Sequence, residues 1–274
     1  MLPVLFDARI ATVHVHLQSY TTLLAFGLIA GVALALAIAH ARGLPLGRSA
    51  VVFTAAVVAA AFGARLLHVA TFLPLFRDDP ASALATGVSG LALYGGLTFA
   101  VIAAAMATRV LRVDLWRLSD AAAPGIALGI AIAKLGCFSA GCCHGYVTHG
   151  PLGVDFGLGS SAHAAQLLAG TVGLLGPVLP VLPVQLFEAA AALFVAVAAF
   201  VLGRRAPSGV AFLATAMGFS AARVVLQPLR WTEAGFGAPT WLYPALYAAV
   251  IVLSGVLAWR RVLSYARSSP PEST

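Results

Sequence analysis

Apolar windows of about 20 residues recur along this chain almost from end to end, each long enough to cross a hydrocarbon core of about 30 Å as a helix. So many runs cannot be hidden in one water-soluble core. Of the 274 residues 61% are hydrophobic and only 9% charged, where an ordinary soluble domain carries about 25% charged residues. Lipid is therefore the solvent in which this chain folds. The expected spans run from Tyr20 to His40 and then over 51–75, 89–108, 119–138, 184–203, 209–227 and 239–259. The expected fold class is an all-α membrane protein of about seven transmembrane helices, with residues 1–267 as a single integral membrane domain. The first run is too long, and too weakly preceded by charge, for a cleaved signal peptide, so it is read as a retained span.

The arginines report on orientation, because loops rich in Lys and Arg stay cytoplasmic during insertion. Arg42 and Arg48 follow the first span, Arg109, Arg112 and Arg117 the third, Arg204 and Arg205 the fifth, and Arg260, Arg261 and Arg267 the last. All four segments share one parity. The opposite loops hold Arg77 beside Asp78 and Asp79, and Arg230 near Glu233. This predicts the N-terminus outside and the C-terminus in the cytoplasm. It also explains a net charge of +7 without nucleic acid, which would require basic residues gathered on one polar face; no nucleic-acid partner is expected.

The stretch from Gly141 to Pro183 breaks the pattern. Its later part, Ala164 to Leu182, is apolar, yet Gly173, Gly176, Pro177, Pro180 and Pro183 argue against a straight helix, and a span there would place Arg204 and Arg205 outside. It is read as a small external head of about 141–183. Residues 268–274 are polar, contain Pro270 and Pro271, and are expected to form a disordered cytoplasmic tail.

An ionised side chain at mid-bilayer costs at least about 2.5–3.5 kcal/mol on insertion scales, so each one inside a span wants a partner or a purpose. Four stand out: Arg65, Lys134, Glu188 and Arg223. Three cations against one anion leave an excess of positive charge, and the abundant anion of a bilayer is a phospholipid phosphate. Around them, Tyr94, Gly95 and Gly96 are expected to break the start of the third span, and Gly136, Gly141 and Gly145 to loosen the outer end of the fourth, where glycine permits a ligand to approach the backbone closely.

Cys137, Cys142 and Cys143 fall within seven residues. An odd number cannot pair completely within one chain, and the spacing lacks the CxxC pairs with histidine partners of a zinc site, so no metal and no cofactor is expected. Small-residue packing is one reading of this cluster; a membrane thiol redox protein is the other.

In order along the chain, GARLLHV, LYGGL, LSDAAAPGIALGIAIAKLGCFSAGCCHG, PLGVDF, LPVQLFEA and ARVVLQPLR are similar to segments of one family. The longest resembles the signature ADxxAPGxxLGxxxGRxGNFxNGExYG, and together they cover most of residues 60 to 230. The sequence resembles the prolipoprotein diacylglyceryl transferases. That resemblance implies a multi-pass protein of the bacterial plasma membrane that moves the diacylglyceryl group of phosphatidylglycerol to the lipobox cysteine thiol of a secreted prolipoprotein, with release of glycerol 1-phosphate. It implies catalytic roles for Tyr94, Arg223 and Glu188, and substrate binding by Lys134, Arg65, Gly95, Gly96, Gly145, Gln185 and Gln227. Tyr94 stands where the family has a histidine proposed as the base, Lys134 where it has arginine, Gln227 where it has glutamate, and Leu182 where a histidine precedes the proline. Cys137 and Cys142 replace asparagine and glutamate. His144 and His149 are candidates for a base from the outer side. A diverged phospholipid-binding or phospholipid-modifying relative is the alternative within the same resemblance.

Overall fold

The computed structural model describes residues 4–10, 13–71, 73–77, 79, 81–82, 93–231 and 241–268. It opens on a two-stranded antiparallel hairpin, β1 (Val4–Ile10) and β2 (Val13–Gln18). Helices follow: α1 (Ser19–Ala41), α2 (Leu46–Thr71), α3 (Leu93–Val110), α4 (Leu115–Ala140), the short α5 (Ser161–Leu168), α6 (Val184–Arg205), α7 (Val210–Leu226) and α8 (Leu242–Ser268). Six of these are long and apolar enough to cross a membrane, and Gly95–Val110 is a shorter apolar helix. The all-α membrane fold expected from the hydropathy pattern is the one observed, as a multi-pass protein. The hairpin is an addition; its alternation of Val13, Val15 and Leu17 with His14, His16 and Gln18 is the period-2 signal of a strand.

Helix ends differ from the apolar windows because polar turns extend a helix past the lipid-facing run. Asp114 accepts from the backbone N–H of Arg117 at 2.7 Å, an N-cap that starts α4 four residues before the expected 119. α8 continues through its arginines to Ser268, so the expected disordered tail, Ser268 apart, lies outside the described residues.

The chain divides into two compact units, Leu36–Ala121, and Met1–Ala35 with Ala122–Thr274. In the former, α2 packs on α3 along small residues: a Cβ on Gly95 would collide with the carbonyl of Gly63, and one on Gly96 would meet the Ala60 carbonyl at 3.1 Å. Gly95 and Gly96 are thus part of a helix from Leu93 onward, correcting the expectation of a broken span; the missing side chains serve helix packing. Arg117 donates to the Arg42 carbonyl at 2.7 Å and Arg48 to the Leu111 carbonyl at 3.3 Å, tying two of the arginine loops together.

In the other unit, α6 packs on α7 and α7 on α8, and Arg261 reaches the Ser208 carbonyl at 3.4 Å. α1 meets α4 through facing small-xxx-small pairs, Gly27 and Gly31 against Gly125 and Gly129. A Cβ on Gly27 would stand 2.7 Å from the Gly129 carbonyl oxygen, and one on Gly125 would strike that of Gly31. Without a hydrophobic drive between helices in lipid, such close backbone contact supplies the association.

The segment between α4 and α6 folds as a small head. Ser160 Oγ caps α5 by accepting from the His163 N–H at 3.1 Å. α5 stops at Leu168, before Gly170 at φ +69. Phe156, Ala162 and Val181 form a local core with Phe138 and Val154. Gln166 replaces a missing strand partner, donating to the Leu179 carbonyl at 2.8 Å and accepting its N–H at 2.9 Å. No spanning helix occupies Ala164 to Leu182, as the glycines and prolines there required.

Gly31→Leu or Gly125→Leu is expected to cost at least about 1–3 kcal/mol by overpacking, read as a lower unfolding temperature of the detergent-solubilised protein. Gly47→Leu, with nothing within 4 Å of its Cβ, should leave that temperature unchanged.

Candidate functional site

Two turns of backbone set up the site. Gly141, at φ +73, ends α4 in a Schellman motif: the Cys142 N–H reaches the Cys137 carbonyl at 3.1 Å and the Gly141 N–H that of Phe138 at 3.2 Å. The chain thereby doubles back on the last turn of α4. Cys143 follows at φ +61, a left-handed conformation that costs a residue with a Cβ of order 1–3 kcal/mol.

Beyond it, residues 144–148 run between two other segments. The Gly145 N–H donates to the Leu182 carbonyl at 2.8 Å, that of Leu182 to Tyr146 at 3.0 Å, that of Tyr146 to Leu229 at 3.2 Å and that of Trp231 to His144 at 3.1 Å. Gly145 is needed for this: a Cβ there would stand 2.6 Å from the Leu229 carbonyl oxygen and 2.7 Å from Val184. The clamp draws together the end of α4, the start of α6 and the end of α7.

Those three ends carry the charges. Glu188 on α6, its side chain 3% exposed, forms ion pairs with Arg223 of α7 through Oε1 and with Lys134 of α4 through Oε2, the latter at 2.5 Å. Arg230 stands 4.0 Å from Oε1. Arg223 also donates to Gln227 Oε1 at 3.0 Å and, through Nε and Nη2, to the Tyr247 hydroxyl, both at 3.2 Å. Three cations surround one carboxylate in an apolar setting, so the cluster has positive charge to spare for an anion. One turn earlier on α6, Gln185 is fully buried. Its Nε2 donates to the Cys142 carbonyl at 2.7 Å, and its Oε1 has no hydrogen-bond partner among the described residues.

Of the residues singled out in the sequence, Glu188, Arg223, Lys134 and Gln227 meet in one hydrogen-bonded group, with Gln185 and Gly145 beside it. Arg65, Gly95, Gly96 and Tyr94 belong to the other unit. Arg65 donates to the Ser82 carbonyl at 2.7 Å and lies over the Phe76 ring at 5.6 Å; Tyr94 sits in the first turn of α3, its side chain outside the described residues. Two members were missed. Arg230 reads in the sequence as a loop charge, although it closes the same ARVVLQPLR segment as Arg223. Tyr247 gave no signal beyond a hydroxyl in an apolar run.

His144 is buried, its Nδ1 2.9 Å from the Gly145 carbonyl oxygen and its ring stacked on Trp231 with centroids 5.7 Å apart. That engagement is structural. His149 is exposed. A cavity of about 250 Å³ lies against His144, Gly145, Gln166, Val181 and Trp231. The three cysteines are free, and their Sγ atoms all lie within 4.8 Å of one another. Hydrogen bonds from the thiols of Cys137 and Cys142, and then the charges of Arg230 and Lys134, hold Cys143 well below the usual thiol range.

Comparison with known proteins gives a consistent answer. The family described as prolipoprotein diacylglyceryl transferase matches residues 4–264. The phosphatidylglycerol–prolipoprotein diacylglyceryl transferase of Rhodopirellula baltica is 32% identical over 166 residues, 58% of this chain and 33% of that protein. That of Bacillus cytotoxicus is 32% identical over 126 residues, 46% and 47% of the two chains. That of Clostridium tetani is 26% identical over 156 residues, 57% and 61%. The chain thus spans from a third to about three-fifths of the length of these relatives.

Glu188→Ala should leave three mutually repelling cations and cost about 3–5 kcal/mol, the usual penalty for removing one partner of a buried ion pair. Lys134→Met should cost less in the Glu188→Gln background than alone, and thermal unfolding of the four proteins in detergent measures that coupling.

Proposed function

Because the chain belongs to the prolipoprotein diacylglyceryl transferase family, we propose that it transfers the diacylglyceryl group of phosphatidylglycerol to the lipobox cysteine thiol of secreted prolipoproteins. The observation that carries this reading is the half-buried group of Arg223, Lys134 and Arg230 around the buried Glu188. A phosphodiester is the anion that an excess of cations at a membrane-embedded helix end suits.

In the reaction the acceptor sulfur attacks the glyceryl carbon that carries the phosphate ester. A C–S bond forms, the C–O bond breaks, and glycerol 1-phosphate leaves with the bond's electron pair and a second negative charge. Charge therefore grows on the phosphate as the transition state is reached, and cations already in place there lower the barrier. Arg223 and Lys134 hold the phosphate, Arg230 supports them, and Glu188 keeps the guanidinium and ammonium aimed, with Gln227 and Tyr247 fixing the far side of Arg223. Gln185 Oε1, buried and without a protein donor among the described residues, suits a hydroxyl of the leaving glycerol. Gly145 permits the close backbone approach that brings Arg230 to Glu188. Tyr94 and Arg65, which the family resemblance assigns to the same reaction, act on the phospholipid, Tyr94 by orienting the phosphate through its hydroxyl.

The site lies at the outer face of the bacterial plasma membrane, with the N-terminus outside and the C-terminus in the cytoplasm. Arginine placement supports this orientation, as do Arg117–Arg42, Arg48–Leu111 and Arg261–Ser208, each joining a helix end to a loop expected on the same side.

The test incubates the purified protein with phosphatidylglycerol and a lipobox peptide, following glycerol phosphate release and the peptide's diacylglyceryl mass gain. Arg223→Ala should lower turnover by about a hundredfold or more, the usual cost of losing one transition-state charge contact, while Lys134→Arg retains most activity. An Arg223→Ala protein with undiminished turnover would sink the reading.

A further inference from the structure

The three cysteines are the part of this chain that the phosphate-binding group leaves unexplained. Composition and spacing gave no zinc pattern, but the fold overrides spacing. The Schellman turn at Gly141 returns Cys142 and Cys143 to the last turn of α4, and all three Sγ atoms lie within 4.8 Å of one another. Three sulfurs around one tetrahedral zinc, each about 2.3 Å from it, stand about 3.8 Å apart. Rotation of the cysteine side chains about their Cα–Cβ bonds is the movement that closing to that spacing requires. Cys143 is held in a left-handed conformation that packing of small residues does not require. Cys137 is buried, whereas Cys142 and Cys143 are half-buried, so the cluster is anchored inside and open on one side.

The cluster adjoins the proposed phosphate site through both of its helices. Cys137 follows Lys134 by three residues on α4, which puts the two on one face about a turn apart. Gln185, which bonds the Cys142 carbonyl, precedes Glu188 by three residues on α6. A sulfur nucleophile held at the cysteines would therefore stand one helical turn from the cations that hold the leaving group. Its chemistry also meets a need. A thiol must lose its proton before it attacks carbon, the chain carries Tyr94 where a base is expected, and His144 is occupied by Gly145 and Trp231.

We propose that Cys137, Cys142 and Cys143 bind one soft divalent ion of the zinc class as thiolates, and that its fourth coordination position takes the sulfur of the acceptor cysteine. Three protein ligands with one open position is the arrangement of a catalytic rather than a structural zinc, and a thiol that coordinates the ion is deprotonated outright. On binding, each of the three cysteines and the acceptor thiol releases its proton to solvent. The metal-held acceptor sulfur then forms the C–S bond as the C–O bond breaks and its electron pair leaves with glycerol 1-phosphate, and no atom changes oxidation state. The acceptor's identity rests on the transferase reading above; the metal site does not.

The experiment uses the full chain purified in detergent without chelator. Elemental analysis is expected to find about one zinc per chain, lost in the Cys142→Ser, Cys143→Ser double variant. Protein exchanged into cobalt(II) should show thiolate-to-metal charge-transfer absorption that shifts on adding a lipobox peptide and does not shift with its serine counterpart. A wild-type chain that is folded, binds no stoichiometric zinc or cobalt and keeps three alkylatable thiols overturns the proposal, as does a cobalt spectrum indifferent to the peptide thiol. Full glycerol phosphate release after the ion has been stripped removes the metal's role and leaves the transferase standing. A cobalt spectrum that answers to the peptide without any glycerol phosphate release does the reverse.

Discussion

Glu188 is the residue on which the rest of the site depends. A carboxylate taken out of water is tolerated only where strong partners replace its hydration, and this one is gripped from two sides, by Arg223 of α7 and Lys134 of α4, with Arg230 close by. Arg223 and Lys134 would be equally costly alone in their membrane-spanning segments. The ion pairs therefore do not merely add stability to helices placed by other forces. They select the rotation of α4, α6 and α7 about their axes, because any other rotation turns a charge toward lipid. The same constraint leaves the group with more cation than anion, so the requirement that fixes helix orientation also creates the electrostatic site.

Much of this was legible in the sequence because membrane physics is severe. An apolar run of sufficient length has few alternatives to a helix, and the bounds of α1, α4 and α6 fall within a few residues of the apolar windows. Charged residues in such runs were few enough to single out, and Glu188, Arg223 and Lys134 met as opposite charges in lipid must. What the sequence concealed was short-range geometry. Arg230 lies outside any apolar run, where a cation needs no special explanation, and only the pairing of residues 144–148 with 229–231 brings it to Glu188. Tyr247 is recognised as a partner of Arg223 only when α8 is packed on α7.

Glycine shows the same limit from another direction. Gly95 and Gly96, and Gly141 and Gly145, look alike in a sequence as places where the backbone is free. The structure separates them. Gly95 and Gly96 are helical and serve the contact of α3 with α2. Gly141 takes a positive φ to end α4, and Gly145 permits a strand-like segment to pass against Leu229. Only the last two shape the site, and composition cannot distinguish a glycine chosen for its dihedral from one chosen for its missing side chain.

The replacement of arginine by Lys134 gains a meaning in this setting. An arginine presents a planar fork that pairs with a carboxylate or a phosphate along two parallel bonds, and Arg223 already uses its guanidinium on Glu188, Gln227 and Tyr247 together. Arg223 takes Glu188 Oε1, which leaves Oε2 to a single donor from α4. Lysine is a point charge with three rotatable donors, so one ammonium can pair with Glu188 Oε2 and still have protons to turn toward a phosphate or toward the sulfurs one helical turn beyond it. A compact, reorientable cation thus suits a position between a buried carboxylate and a cluster of three thiols.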